Sequence, residues 1–424
     1  MRSRCHAVNA THRGVSGIRT DVLFGTLDQG AAAVLAFLFH AVAAAVYPVA
    51  VYGWLVLVWG AIGFGVLSWR ALIGVPFVVQ YNEVADRDRP GLFSTVTIVT
   101  GRLQVALFVF ATALVTWRFP AHGASEAAVL FGGGAFTLGF ALSRELWRHK
   151  FIADLETRRL GGLGLASNLG GVAFFIIATF GLGQPPLTAL VLLGVGIGLG
   201  AGVARDRGRK DTDPLRKAPP FFETAWAFGR HIMLGVVSTS GATQLVFWSL
   251  LMLAGEDEVA VFGAVVALAG LPRPALNAVT AVLTPRVARG LRDASAAPAR
   301  WRILGAVTMA ALASAVFAAL VGPPTMRLLF PSVPTAKVVV MVVLAVGIAI
   351  EGGNAVLRGI FRGVGAPDLE ARGAVAGAVV GLIAAAAALP AWGVTGAAIA
   401  VSAMQLAFFA VAMTAQLRPA SVTS

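Results

Sequence analysis

Charge is scarce in this sequence. Only 12% of its 424 residues are Asp, Glu, Lys or Arg, against about 25% in a soluble domain, which leaves too little polar surface to wrap a globule of this length in water. Cysteine is scarcer still. A single thiol, Cys5, excludes an internal disulfide framework and any Cys-rich metal site. No G-x-x-x-x-G-K-[ST] loop is present, so no built-in ATPase is visible, and H-E-x-x-H, D-x-D and serine-elbow patterns are missing too. Of six histidines, only His40 falls deep within an apolar run. No cofactor is therefore expected beyond a coupling proton or sodium ion.

What is present is apolar. The sequence is 58% hydrophobic with a mean hydropathy of +0.81, and its apolar runs are long and continuous. They do not alternate with polar residues as lipid-facing strands would. A bilayer core of roughly 30 Å takes about 20 apolar residues per helical span. The runs place helices at 22–45, 52–79, 93–117, 125–143, 161–181, 186–204, 228–254, 259–283, 302–322, 337–360, 372–389 and 392–416. The expected fold is an all-α integral membrane protein of about twelve transmembrane helices. The first run follows Arg2, Arg4, Arg13 and Arg19 and contains Ala43-Ala44-Ala45, as a cleaved leader would. Asp28 and Gln29 interrupt it, so it is expected to remain as the first span.

Net charge is +13, and its distribution argues against nucleic acid. With the N-terminus in the cytoplasm, 25 of the 33 Lys and Arg fall in cytoplasmic tails and loops, among them Arg144, Arg148 and Lys150. The other side keeps only Arg118, Arg327 and Lys337. Positive flanks mark the cytoplasmic face, so both termini are expected there, in a multi-pass protein of the inner (plasma) membrane. Val49-Ala50-Val51-Tyr52-Gly53 and Val259-Ala260-Val261-Phe262-Gly263 open the second and eighth spans. Pro76 and Pro285 stand near the far ends of the same spans. This repeat implies two parallel six-helix bundles, related by an axis along the membrane normal, with a substrate site between them. The expected division is a tail 1–21, a bundle 22–204, a basic linker 205–227, a second bundle 228–416 and a tail 417–424. Outer loops are short, and no outer domain is expected.

Ionisable residues inside spans cost roughly 2.5–3.5 kcal/mol each on insertion scales and tend to face a partner or a water-filled cavity. Arg273 stands mid-span between Pro272 and Pro274, which would break the helix, and it is the leading candidate for a substrate-binding residue. Arg102 lies about a third of the way into its span. Arg70 lies late in its span, where snorkelling to the interface accounts for it as well as a cavity does. Glu351, Asn354 and Arg358 share one helix face. They fit either a buried network that aids packing or a cavity wall in which Glu351 couples an ion. Asp28 is a second ion-coupling candidate, or an anion placed near a helix N-terminus. The substrate-binding candidates are thus Arg273, Arg102, Arg70, Arg358 and Asn354, and the ion-coupling candidates Glu351 and Asp28.

Several stretches resemble bacterial polysaccharide flippases, the O-antigen type that moves lipid-linked oligosaccharides. They include Leu23-Phe24-Gly25-Thr26-Leu27-Asp28-Gln29-Gly30, Tyr52-Gly53 and Arg70-Ala71-Leu72-Ile73-Gly74-Val75-Pro76-Phe77-Val78-Val79. Arg144-Glu145-Leu146-Trp147-Arg148 is similar to that family's basic inner loop. Trp226-Ala227-Phe228-Gly229-Arg230 and Leu283-Thr284-Pro285-Arg286 are similar to the flanks of its seventh and eighth helices. The chain departs from the pattern in having apolar residues and Pro48 where an arginine often precedes Tyr/Phe-Gly, and Val75 where an acid often stands. Those flippases belong to the multidrug, oligosaccharidyl-lipid and polysaccharide exporter superfamily.

The resemblance implies a transporter, not an enzyme. It would carry a lipid-linked oligosaccharide from the cytoplasmic to the outer leaflet by alternating access, as part of polysaccharide and cell-envelope assembly. Its partners would be that substrate, membrane lipids and other polysaccharide-assembly proteins in the membrane. Two alternatives stand beside it. One is a multidrug or cation antiporter on the same fold, which would need acids in the cavity. The other is a membrane polysaccharide polymerase or glycosyltransferase, which would need a sizeable outer loop or an acidic motif.

Overall fold

The apolar runs become helices because a chain in hydrocarbon must satisfy its backbone N–H and C=O groups internally. A computed structural model describes residues 15–116, 124–206, 221–271, 296–363 and 367–417. In chain order the helices are α1 (Val15–Val46), α2 (Val49–Trp69), α3 (Val75–Glu83), α4 (Arg89–Thr116), α5 (Ala124–Ala153), α6 (Thr157–Ile176), α7 (Pro186–Asp206) and α8 (Phe221–Val236). They continue with α9 (Ala242–Ala254), α10 (Glu256–Ala269), α11 (Ala296–Leu320), α12 (Gly322–Leu329), α13 (Val338–Gly363), α14 (Pro367–Trp392) and α15 (Val394–Leu417). Among the described residues, ten helical stretches are long and apolar enough to cross a membrane, or eleven with the α11–α12 pair. That pair bends by 55° at its break, where Pro323 and Pro324 can begin a helix but cannot continue one. The expected span 259–283 is described only as far as Leu271, and most of the linker 205–227 lies outside the described residues.

Among the described residues, wider π-helical turns interrupt two spans, at Arg70–Gly74 and Val237–Gly241, and a third, Ile177–Gly181, ends the span of α6. The first joins α2 to α3, just ahead of Pro76. The Val75 N–H reaches back to the Arg70 carbonyl, and Pro76 has no N–H to give. A turn inside a span inserts a residue and so rotates the rest of its helix by about 100°.

Helices α1, α4, α5, α6 and α7 pack on one another, as do α11, α13, α14 and α15, and α8 packs on α14. Helix α10 joins the two groups by lying along α2 and against α1. The repeated Tyr52-Gly53 and Phe262-Gly263 meet in this seam. Tyr52 and Phe262 are fully buried. A Cβ at Gly53 would collide with the Glu256 carbonyl, and one at Gly263 with the Val56 side chain. Aromatic rings extend the seam at this end, where Phe37 and Tyr52 both lie near Phe330 and the Ser332 hydroxyl donates to the Ala44 carbonyl. At the other end, α8 packs on the Arg70–Gly74 turn and α3, and Gln80 donates to the Phe221 carbonyl at 3.3 Å.

The seam gives a first test. Gly263→Val pushes a branched side chain into β-branched Val56, which has no free rotamer to yield. It is expected to destabilise the protein by about 1–3 kcal/mol, seen as a lower thermal unfolding midpoint in detergent. Gly305→Val, with nothing within 4 Å of its Cβ, is expected to leave the midpoint unchanged.

Candidate functional site

Two polar assemblies stand out in this apolar scaffold. The first lies inside the bundle of α1–α7. Asp28 on α1 is buried, and two guanidinium groups from α5 hold it: Arg144 donates to Oδ1 at 2.8 Å and Arg148 donates to Oδ2 at 2.8 Å. Glu145, also buried, accepts both nitrogens of Arg70 in a bidentate pair at 2.6 and 2.7 Å. It accepts a third bond from Arg144 at 2.8 Å. Three arginines and two carboxylates thus form one network across α1, α5 and the π turn. Low dielectric strengthens such pairs, and each remaining hydrogen-bonding site matters more there. The close approach of α6 to α1 depends on Gly164, where a Cβ would lie 2.7 Å from the Asp28 Cα. The Arg70 side chain keeps 30% of its surface exposed, so the network reaches solvent or headgroups at that edge.

One helical turn further along α5, Lys150 donates to the Tyr81 hydroxyl at 2.7 Å and pairs with Asp154 at 2.5 Å, while Tyr81 donates to Asp154 at 2.7 Å. Arg144, Arg148 and Lys150 were expected in a loop beyond a span ending at 143. Instead α5 runs on to Ala153, burying Arg144 and Lys150 and leaving Arg148 partly buried. The signal for this is the i, i+4 spacing of Arg144 with Arg148, which aligns them on one helix face towards Asp28.

The second assembly is a chamber of about 380 Å³ between the two groups of helices. Its wall on the α1–α7 side carries His40, Trp59 and Phe64. The opposite wall carries Ser240, Thr243, Gln244, Glu351, Arg358 and Gln405. The Gly53–Gly263 seam closes it at one end. His40 shares a hydrogen bond with the Tyr52 hydroxyl at 3.3 Å and is packed against Phe39 and Trp59. Along α13, Leu344, Ile348, Glu351 and Arg358 recur at one-turn multiples and line the chamber as one stripe. The Arg358 guanidinium lies 4.7 Å from the centre of the Phe408 ring, a cation–π contact that fixes its direction. Asn354 is buried and donates to the Gln405 carbonyl at 2.9 Å and to its side-chain oxygen at 3.0 Å. It thereby orients a chamber amide without itself facing the chamber.

The structure therefore separates the candidate residues. Glu351 and Arg358 face the chamber, and Asn354 backs it. Arg70 and Asp28 belong to the ion network within the first group of helices. Arg102 is exposed on the outer side of α4, and Arg273 lies outside the described residues. His40, Gln244 and Gln405 were not singled out as binding residues. Their only signal is an uncharged polar side chain deep in an apolar span.

No protein-family model matches the sequence, and no curated protein does. Solved structures do resemble the fold. An inward-facing multidrug-resistance transporter of the MATE family, in the MOP superfamily, is 16% identical, with 91% of this chain and 94% of that chain covered at a TM-score of 0.70. A MOP-superfamily transporter from Pyrococcus furiosus, described as having a binding pocket of reverse polarity, is 13% identical over 95% of this chain and 96% of its own, at a TM-score of 0.66. The lipid II flippase MurJ, in an inward closed conformation, is 10% identical, with 94% and 88% covered at a TM-score of 0.59. These identities carry the fold, and with the many apolar helices they make the chain a multi-pass membrane protein built on the fold of the MOP superfamily of transporters.

Proposed function

We propose that this protein is a transporter of the inner membrane, that its cargo is a lipid-linked oligosaccharide, and that it moves the cargo from the cytoplasmic to the outer leaflet by alternating access. The observation that carries this reading is the chamber between the halves. Among the described residues it offers the guanidinium of Arg358 beside amide and hydroxyl side chains and an aromatic face, Trp59. Amides and hydroxyls both donate and accept, which suits the hydroxyls of a sugar. A guanidinium suits a phosphate oxygen. A diphosphate-sugar head cannot cross roughly 30 Å of hydrocarbon unaided, and a chamber of this lining supplies the missing hydrogen bonds. The basic end faces the cytoplasm in this reading, in keeping with the positive-inside rule. Rocking of one half against the other about the seam exposes the chamber to each side in turn.

Coupling to a proton or sodium ion falls to Glu351 rather than Asp28. Asp28 lies with Arg144 and Arg148 in the network of the first group of helices, away from the chamber that Glu351 lines. The same Glu351 favours a second reading, a cation or multidrug exporter, because a chamber carboxylate attracts cations. The polymerase or glycosyltransferase alternative draws no support from the fold likenesses, which are to transporters.

The two transport readings separate in liposomes containing the purified protein. With a fluorescent lipid-linked oligosaccharide and a leaflet-specific quencher, protein-dependent transfer between leaflets is expected. No transfer, together with gradient-driven extrusion of a cationic dye, would replace the first reading with the second.

A further inference from the structure

Behind the Tyr52 end of the seam lies a further cavity. About 840 Å³ in volume, it opens between α10, α13 and the turn from α14 to α15. Two of its walls belong to the parts of the second half that close the seam at this end. One is the first turn of α10, where the Glu256 carbonyl meets Gly53 and Glu258 lines the cavity. The other is the segment 330–337. Phe330 and Ser332 hold the seam, against Tyr52 and the Ala44 carbonyl, and Pro334 through Lys337 line the cavity. A charge of each sign lines it. The Glu258 carboxylate accepts a hydrogen bond from the Val394 N–H at 3.4 Å, beside the turn that Gly393 makes at a φ of +51°, a conformation open to glycine without steric cost. Lys337 is exposed. Among the described residues neither side chain is in an ion pair. Trp392, 60% exposed, and Val339, 50% exposed, border the same space. An amphipathic ring of that kind sits where headgroups meet acyl chains.

We propose that this cavity binds a phosphoethanolamine group, with its ammonium on Glu258 and its phosphate on Lys337. The group arrives either as the headgroup of a phosphatidylethanolamine or as a soluble phosphodiester. The site does not depend on what the chamber carries. A ligand of one sign is poorly matched here. An anion drawn to Lys337 meets the Glu258 carboxylate, and a cation drawn to Glu258 meets the Lys337 ammonium. A zwitterion answers both. Its ammonium has three N–H donors for the carboxylate, which a quaternary ammonium lacks. A phosphate oxygen suits the point charge of a lysine, and the Thr335 and Thr395 hydroxyls on the wall add donors. The volume falls within the roughly 300–1,000 Å³ of ligand sites. It holds a headgroup whose acyl chains leave past Val339 and Trp392 into lipid. A ligand that bridges Glu258 and Lys337 ties the first turn of α10 to segment 330–337. Those are the two parts that meet the first half, so occupancy steadies the face that closes the seam.

The test uses the full-length protein in maltoside detergent and reads its thermal unfolding midpoint, which a ligand of the folded state raises. Four additives are compared: dihexanoyl phosphatidylethanolamine, the phosphatidylglycerol and phosphatidylcholine of the same chain length, and glycerophosphoethanolamine. A saturable rise with phosphatidylethanolamine, well above that with the other two lipids, is the expected result. A matching rise with glycerophosphoethanolamine assigns the site to the soluble group, and no rise with it assigns the site to the lipid. Either outcome supports the proposal. Glu258→Gln and Lys337→Gln are each expected to raise the half-saturating concentration severalfold. Asp257→Asn, an exposed acid on the same turn that does not line the cavity, is expected to leave it unchanged. Should Glu258→Gln impair folding, Lys337→Gln at its exposed position carries the test. Equal rises with all three lipids, or a phosphatidylethanolamine response untouched by both cavity variants, overturns the proposal. A phosphatidylglycerol response lost in Lys337→Gln but kept in Glu258→Gln shows a plain anion site and overturns it too.

Discussion

Glu145→Gln is expected to destabilise the fold by about 3–5 kcal/mol, the range measured when one partner of a buried ion pair is removed. The substitution preserves volume, so no cavity forms. What changes is the charge balance around Arg70, Arg144 and Arg148, which now face Asp28 as their one carboxylate. Arg70 loses its bidentate partner, and Arg144 keeps only one of its two. Thermal unfolding in detergent, monitored through the nine tryptophans, measures the loss. Glu156→Gln is the comparison, because its pair with Arg159 is well exposed and is worth at most about 1 kcal/mol. A double variant, Arg70→Met with Glu145→Leu, is expected to be milder than the sum of its parts, since removing both charges leaves neither unpaired. Equal midpoints for Glu145→Gln and Glu156→Gln would show that the network contributes nothing to the fold.

The spans were legible in the sequence because hydrocarbon solvent demands long apolar runs, and among the described residues the helix ends fall within several residues of those runs except at α5, which runs to Ala153. The repeat was legible as well, but not that its two copies pack on each other. Both Gly53 and Gly263 meet close neighbours where α2 crosses α10. The sequence misled at α5. Arg144, Glu145 and Arg148 looked like the charged start of a loop, since three ions within five residues would be prohibitive in lipid. The partner that makes them tolerable, Asp28, stands 116 residues away from Arg144, and no local pattern announces the pairing.

The chamber was half legible. Glu351 and Arg358 were found from their spacing on one helix, because helical periodicity is local information. His40 and Gln244 could not be joined to them, since that depends on how the two halves meet. Arg102 drew attention only through its depth in a span, and depth says nothing about which side of α4 it faces.

Arg358→Gln is expected to slow transfer of a lipid-linked oligosaccharide about ten- to hundredfold. A hydrogen bond to a charged group is worth roughly 1.5–3 kcal/mol, and each 1.4 kcal/mol is a factor of ten. Glutamine retains some hydrogen-bonding capacity and length but loses the charge and the two-pronged geometry that a phosphate engages. Arg358→Lys is expected to fall between the two, keeping charge without the planar fork. Glu351→Gln should behave differently. With the coupling carboxylate gone, exchange between leaflets continues in the absence of a gradient, but an imposed proton or sodium gradient no longer drives it. The contrast matters because both residues lie on the same stripe of α13 and share the same chamber. A merely structural role would make the two variants fail together, with lowered unfolding midpoints. If Arg358→Gln instead transfers the lipid-linked sugar at the unaltered rate, the chamber does not recognise the phosphate through this guanidinium, and the substrate class proposed here loses its electrostatic basis.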